Sequence, residues 1–280
     1  MATSKSEIFA GLVSMTANSD KKRNIEKAMS GARDVVSRGA DWVCLPEMFA
    51  FHGSYESLWE NAEFEDGSLN EQLSTFARDH KVILFAGSVA ERPPGSLDGK
   101  VFNTQYVFGR DGSILAKYRK THLFNLIGPK GEPLYCESDG YLAGSETITL
   151  DVDGWRVGLA TCYDLRFPEF FASLAKPAAL DCLMIPSAFT LQTGMYHWIT
   201  LLKARAIENL CYVTAANQVG THSIGKTSYG HALVVDPWGT VIADTGNTEG
   251  CALARLSKGQ IAAYRAQLPA LNNRRPEIYK

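Results

Sequence analysis

The run Gly158–Glu169, Gly-Leu-Ala-Thr-Cys-Tyr-Asp-Leu-Arg-Phe-Pro-Glu, constrains this chain more than any other. The apolar stretch Val157 to Thr161 reads as a strand and ends on Cys162. Shortly after, Pro168 and Glu169 open a helix, because proline suits the first helical position and acids suit the first turn. A strand passing so directly into a helix predicts an α/β fold. A thiol at that junction feels the positive helix end, which predicts a lowered pKa and a nucleophile.

The chain has 280 residues, 45% of them hydrophobic, enough to bury a sizeable core. Its formal net charge is -2 with acids and bases interspersed, so no face is expected for nucleic acid or an anionic membrane. Met1 to Glu7 is polar, and no apolar run approaches the ~18 residues that span a bilayer; the expected location is cytoplasmic. Six cysteines (Cys44, Cys136, Cys162, Cys182, Cys211, Cys251) lie scattered without a C-x-x-C pair. That pattern fits reduced thiols, with no disulfide framework, metal site or cofactor expected.

Periodicity gives alternating elements. Ile8–Ser14 reads as a strand, and Asn18-Ser19-Asp20 caps a helix over Lys21–Ser37 whose Ile25, Ala28, Met29, Ala32 and Val36 share a face; Gly39 closes it. A strand over Asp41–Leu45 ends at Pro46-Glu47, a helix covers Ser68–His80, and a strand covers Val82–Val89. Glu91–Gly99 is a loop, and Val101–Phe108 pairs with Ser113–Tyr118 as a hairpin. His122–Gly144 reads as irregular, a length uncommon for a loop without a function. The second half predicts strand 155–161, helix 168–176, strand 182–186, helix 194–210 and strand 211–216. The loop Gln218–Lys226 and a hairpin of Gly230–Val235 with Thr240–Ala243 complete it. No linker interrupts the pattern, which predicts one domain over residues 1–280, with mixed sheets covered by helices.

Thiol catalysis needs a base, an oxyanion stabiliser and a rigid, dry setting. Sites in α/β sheets gather at strand ends. The polar residues there are Glu47, Lys120 and Cys162, with Pro186–Ala188 and Ala215–Asn217 available to line a pocket. These residues resemble the catalytic triad of the nitrilase-like carbon–nitrogen hydrolases. The runs Leu45–Glu47, Tyr118–Leu123 and Thr161–Glu169 match the family in order, as do Cys136–Ser138, Ala204–Asn209, Ser228–His231 and Asp236–Gly239. The resemblance covers nearly the whole chain. It implies a four-layer α-β-β-α sandwich of the nitrilase type, pairing into a homodimer or homotetramer. It implies Glu47 as base, Lys120 as the cation at the oxyanion, Cys162 as nucleophile and Glu137 as a supporting carboxylate.

The residues after the nucleophile bear on the substrate. Cys-Tyr-Asp, where nitrile-cleaving members carry Cys-Trp-Glu, implies a small-molecule amide. Arg166 is placed to clamp a carboxylate, with Tyr163, Phe189 and Thr190 as further substrate contacts. Cys-Tyr-Asp-Leu-Arg-Phe resembles the branch that cleaves 2-oxo-acid amides: deaminated-glutathione amidases and ω-amidases. Gln218–Gly220, Lys226–His231 and Gln267–Glu277 look closer to the first, implying release of cysteinylglycine from deaminated glutathione. Met195-Tyr196 departs from both. Alternatives are ω-amidase action on 2-oxoglutaramate, another small-amide or N-carbamoyl hydrolase, and a silent scaffold. A Cys/His hydrolase using His122 or His197 is a further rival.

Overall fold

A computed structural model describes residues 4–96, 99–176, 178–223 and 225–278. Leu97, Asp98 and Ile224, within the two expected loops, lie outside the described residues. Two sheets form the centre. The first runs Gly250–Ser257, Glu7–Ser14, Trp42–Cys44, Ile83–Phe85, Val101–Phe108, Val89–Glu91, with Ile114–Arg119 and Tyr141–Leu142 also on Val101–Phe108. The second runs Thr149–Val152, Trp155–Leu159, Cys182–Met184, Tyr212–Ala215, Leu233–Val235, Val241–Asp244. In each, three central strands are parallel and antiparallel strands flank them.

The sheets face each other through bulky alternate residues. Trp42 of the first meets Trp155 of the second edge-on at 5.8 Å, and Cys44 Sγ lies 3.8 Å from Met184 Sδ. Both tryptophans are fully buried, and truncating such a side chain costs about 3–5 kcal/mol. The Trp42 indole N–H donates to Asp153 at 2.9 Å, which satisfies its buried donor.

Helices cover the outer faces. Asp20 caps Lys21–Ser37 by accepting from the Arg23 N–H, and the helix buries Ala28, Met29, Ala32 and Val35 against the first sheet. The approach is close because glycines face large residues on both sides. A Cβ on Gly11 would stand 2.5 Å from Val35 Cβ, and one on Gly31 would stand 2.7 Å from Val13 Cγ1. Ser68–His80 packs beside it through Leu69, Leu73 and Phe76. On the far side, Pro168–Leu174 and Leu191–Asn209 cover the second sheet, with Leu174 over Gly158. The result is helix, sheet, sheet, helix.

Several elements differ from expectation. The strand expected over Val82–Val89 is two, broken where Gly87 adopts a φ of 56°. His122–Gly144 is built: Asn125–Ile127 pairs with Pro133–Cys136, followed by a 3-10 turn over Glu137–Asp139. The loop Gln218–Lys226 contains one side of a hairpin, Val219–Thr221 with Thr227–Tyr229. The strand Gly250–Ser257 and the helix Lys258–Gln267 have no counterpart in the sequence reading, although the former pairs along all of Glu7–Ser14.

Candidate active site

Glu47, Lys120 and Cys162 each follow the end of a strand, and the two facing sheets bring those ends together. Glu47 follows Trp42–Cys44, and the next residue, Met48, turns back with φ 52°. Cys162 follows Trp155–Leu159 with φ 48° and opens the 3-10 helix Cys162–Arg166. Left-handed backbone costs a side-chain-bearing residue on the order of 1 kcal/mol and persists only where the surroundings hold it. Here the Cys162 N–H donates to Pro186 O at 3.0 Å and the Met48 N–H donates to Ser88 Oγ at 3.1 Å.

Lys120 sits between two carboxylates. Its Nζ donates to Glu47 Oε1 at 3.0 Å and to both Glu137 oxygens at 2.9 and 2.8 Å. All three side chains are nearly sealed from solvent, with Lys120 2%, Glu137 3% and Glu47 4% exposed. Burial alone would strip the lysine of its proton; Glu137, then Glu47, outweigh it and hold the ammonium well above its ordinary value. Burial pushes the Glu137 carboxyl up, opposed by Lys120.

The remaining carboxylate valences are filled. Glu47 Oε2 accepts from the Ala188 N–H at 2.7 Å, Glu47 Oε1 from Asn103 Nδ2 at 2.8 Å, and Glu137 Oε2 from the Phe124 N–H at 2.6 Å. Gln218 Nε2 donates to the Glu47 carbonyl at 2.9 Å. A cluster tied at this many points cannot reorient cheaply.

Cys162 departs from the expectation of a lowered pKa. Its thiol is pushed well above the ordinary cysteine range, first by burial and then by the Glu47 carboxylate beside it, with Lys120 pulling the other way. The 3-10 helix is short, and its dipole is outweighed by a full negative charge at hydrogen-bonding range. The sulfur thus holds its proton more tightly than an ordinary cysteine does, with the Glu47 carboxylate beside it.

The four residues border a cavity of about 630 Å³. Met48, Phe51, Tyr55, Phe124, Leu134 and Tyr141 give it apolar walls, and Gln192, His222, Lys226 and Ser228 give polar points. A shallow second recess meets it at Cys162, Phe124, Ala188 and Thr190, and is completed by Tyr163, Arg166, Phe189 and Thr193. Among the described residues no group of three or more His, Cys, Asp or Glu is arranged to hold a metal ion.

The family model for carbon–nitrogen hydrolase matches residues 9–266. The chain belongs to the carbon–nitrogen hydrolase family. A human protein named deaminated glutathione amidase is 38% identical over 286 residues, covering 100% of this chain and 86% of its own length. Human omega-amidase NIT2 is 35% identical, covering 96% of this chain and 95% of its own. The crystal structure of the Caenorhabditis elegans NitFhit protein superposes with a TM-score of 0.92 at 36% identity, over 100% of this chain and 67% of that one. The four-layer sandwich is thus the nitrilase type.

In this carbon–nitrogen hydrolase the sequence-predicted site residues divide between the two spaces. Glu47, Lys120 and Glu137 line the cavity, Tyr163, Arg166 and Phe189 line the recess, and Cys162 and Thr190 line both. Arg166 has no carboxylate within 4.0 Å among the described residues; one guanidinium nitrogen stands 3.2 Å from His197 Nδ1. His122 belongs to the framework: its Nδ1 meets Asp164 at 2.7 Å and its ring stacks on Phe167.

Asp164 and Asn103 are functional residues that the sequence reading missed. The fully buried Asp164 accepts from Tyr118 Oη at 2.6 Å, the Thr161 N–H at 2.8 Å and the His122 N–H at 3.0 Å. It thereby locks the turn carrying Cys162 to the residues on either side of Lys120. Asn103 bridges Glu47 and Glu137. Its signal was present, since Asn103-Thr104-Gln105 places three polar residues inside an apolar strand. Arg205, in the run Ala204–Asn209, supports the same turn by donating to Leu165 O at 2.8 Å.

Proposed function

We propose that this hydrolase cleaves the amide of a 2-oxo-acid amide through a Cys162 thioester, with deaminated glutathione as substrate and 2-oxoglutarate and cysteinylglycine as products. The carrying observation is Cys162 beside a lysine locked between two carboxylates, on the border of a 630 Å³ cavity. In this reading Glu47 takes the thiol proton as sulfur attacks the carbonyl carbon. The three N–H bonds of Lys120 already point at carboxylate oxygens, so it acts on the oxyanion as a fixed positive charge. The Tyr163 backbone N–H supplies a hydrogen bond, and Glu137 keeps Lys120 charged. As the C–N bond breaks, Glu47 returns its proton to the leaving amine. A water then loses a proton to Glu47, attacks the thioester carbon and expels sulfur, which recovers that proton.

The choice of a peptide leaving group rests on size and on likeness. A volume of about 630 Å³ is in the range that encloses a drug-sized ligand, well beyond what a five-carbon primary amide fills. The relative named deaminated glutathione amidase supports the same choice. Arg166 holds the oxo-acid carboxylate, with Tyr163, Phe189 and Thr190 around it. The second reading, ω-amidase action on 2-oxoglutaramate, draws on the likeness to omega-amidase NIT2.

Mass-spectrometric turnover of both substrates, with wild type and Cys162→Ala, tests this. Faster release of cysteinylglycine, abolished in Cys162→Ala, is expected. Faster ammonia release from 2-oxoglutaramate replaces the dipeptide assignment, and turnover surviving in Cys162→Ala overturns the thioester.

A cytoplasmic setting is part of the proposal, supported by six cysteines that are all free; no helix among the described residues is long and apolar enough to cross a membrane. So is a homodimer or homotetramer, paired through Leu191–Asn209, where Leu191, Met195, Tyr196 and Ile207 are exposed. Sedimentation of a monomer alone at micromolar concentration would sink that part.

A further inference from the structure

We infer that Lys226 binds the terminal carboxylate of the leaving dipeptide and thereby sets the preference for a peptide amide over a primary amide. The inference rests on the function proposed above and names the residue that recognises the far end of the substrate.

Two lysines line the large cavity, and only one is neutralised. Lys120 is held by Glu47 and Glu137. Lys226 has no carboxylate oxygen within 4.0 Å among the described residues, and its Nζ lies 3.0 Å from the centre of the Tyr135 ring. Its backbone is fixed, because Lys226 O accepts from the His222 N–H at 2.8 Å and Thr227–Tyr229 begins directly after it. A half-buried ammonium facing an aromatic ring without a counter-ion is poorly solvated in the free protein, and an anionic ligand relieves that cost.

The surroundings add hydrogen-bonding capacity and no competing anion at contact. His52 stacks on His222 at 3.9 Å, and His52 Nδ1 is buried with no hydrogen-bond partner among the described residues. Both nitrogens of His222 are engaged, by Ala17 O and Ser228 Oγ. Burial holds both imidazoles below the ordinary histidine range, so they are neutral at pH 7. His52 Nδ1 is thus left with an unmet valence in the wall that Lys226 also lines.

Charge in the two spaces that meet at Cys162 gives the match. Arg166 borders the recess and Lys226 the cavity; both lack a carboxylate partner among the described residues, and Cys162 lines both spaces. Deaminated glutathione carries a carboxylate at each end with the scissile amide between them, whereas 2-oxoglutaramate carries one. Two cations without a carboxylate partner among the described residues, in two spaces that meet at the nucleophile, fit the first molecule.

The test compares deaminated glutathione with its analogue whose glycine carboxylate is a carboxamide, using wild type, Lys226→Met and Lys226→Arg. In wild type, kcat/KM should favour the acid by roughly 10–100-fold, the range for a charge-assisted contact. Lys226→Met should bring that ratio close to one, mainly through KM, and Lys226→Arg should restore most of it. The ratio in wild type should also fall as pH rises through about 8. Burial lowers the Lys226 ammonium to about 8, with Glu137 opposing, so the cation is present below that pH and lost above it. Tyr135 does not titrate there because burial pushes it well up, and His52 and His222 are already neutral. An acid-to-carboxamide ratio unchanged in Lys226→Met overturns this subsite while leaving the proposed function standing. Failure of wild type to release cysteinylglycine from the acid and cysteinylglycinamide from the carboxamide overturns both.

Discussion

At Cys162 the carboxylate positioned to take the proton also keeps it on sulfur. Burial and the Glu47 charge both raise the thiol pKa, and only Lys120 opposes them. Replacing Glu47 by Gln removes one raising influence and the base together, so the two effects can be separated. We expect Glu47→Gln to cut kcat/KM by roughly 1000-fold or more while shifting alkylation of Cys162 by iodoacetamide to lower pH. Peptide-resolved mass spectrometry distinguishes it from Cys44, Cys182 and Cys211, which burial also pushes up. An alkylation profile that stays put in Glu47→Gln would mean that burial alone sets the thiol. That Glu47, Lys120, Glu137 and Cys162 meet at one cavity was legible from their residue types and flanking runs. The direction of the thiol shift was not, because it depends on which charge lies nearest, and Glu47 is 115 positions away in the chain.

The elements place these groups through backbone contacts that tolerate no extra atom. Gly87 has a φ of 56°, and a Cβ there would stand 2.1 Å from Pro46 O and 2.8 Å from Leu45 O. Those carbonyls belong to the segment that delivers Glu47. Gly87→Ala should therefore cost about 1–3 kcal/mol, seen as a lower denaturation midpoint at unchanged m, and should lower kcat by displacing Glu47. Unchanged kcat in a folded variant would show that Glu47 is placed by its side-chain partners alone. Helical spacing and the Asp20 cap made Lys21–Ser37 readable, and the helix Ser68–His80 also lies where it was expected. The interval His122–Gly144 was less so. Its strands are short, and its 3-10 turn presents Glu137 through long-range bonds to Lys120 and Phe124.

At the scale of the whole molecule, a second ionic assembly fastens the first sheet where its short strands meet. Glu91, 2% exposed, accepts from Arg119 at 2.7 and 2.9 Å and from Thr104 Oγ1 at 2.6 Å. Burial would raise its carboxyl, but the Arg119 and Thr104 bonds outweigh that and hold it below the usual carboxylate range. A depressed carboxylate contributes stability above its unfolded pKa of about 4.3, and loses it as pH falls through the lower folded value. Glu91→Gln should therefore lower Tm at pH 7, with the gap to wild type closing below about pH 4. A gap that persists unchanged into acid would show that packing, and not charge, holds this corner. The strand Gly250–Ser257 illustrates what distance along the chain hides: it joins Glu7–Ser14 from the opposite end of the sequence, and local pattern gave no hint of the pairing. By itself the sequence determined the alternation of elements, most of the helices and the candidate reacting groups, because periodicity, caps and side-chain chemistry are local properties. Only the tertiary structure decided that Lys120 is spent on two carboxylates, that burial and Glu47 push the Cys162 thiol up, and that Arg166 and Lys226, in the two spaces that Cys162 lines, have no carboxylate within 4.0 Å among the described residues. Burial and charge–charge contact are set by which distant segments meet, and packing the two sheets face to face brings those segments together.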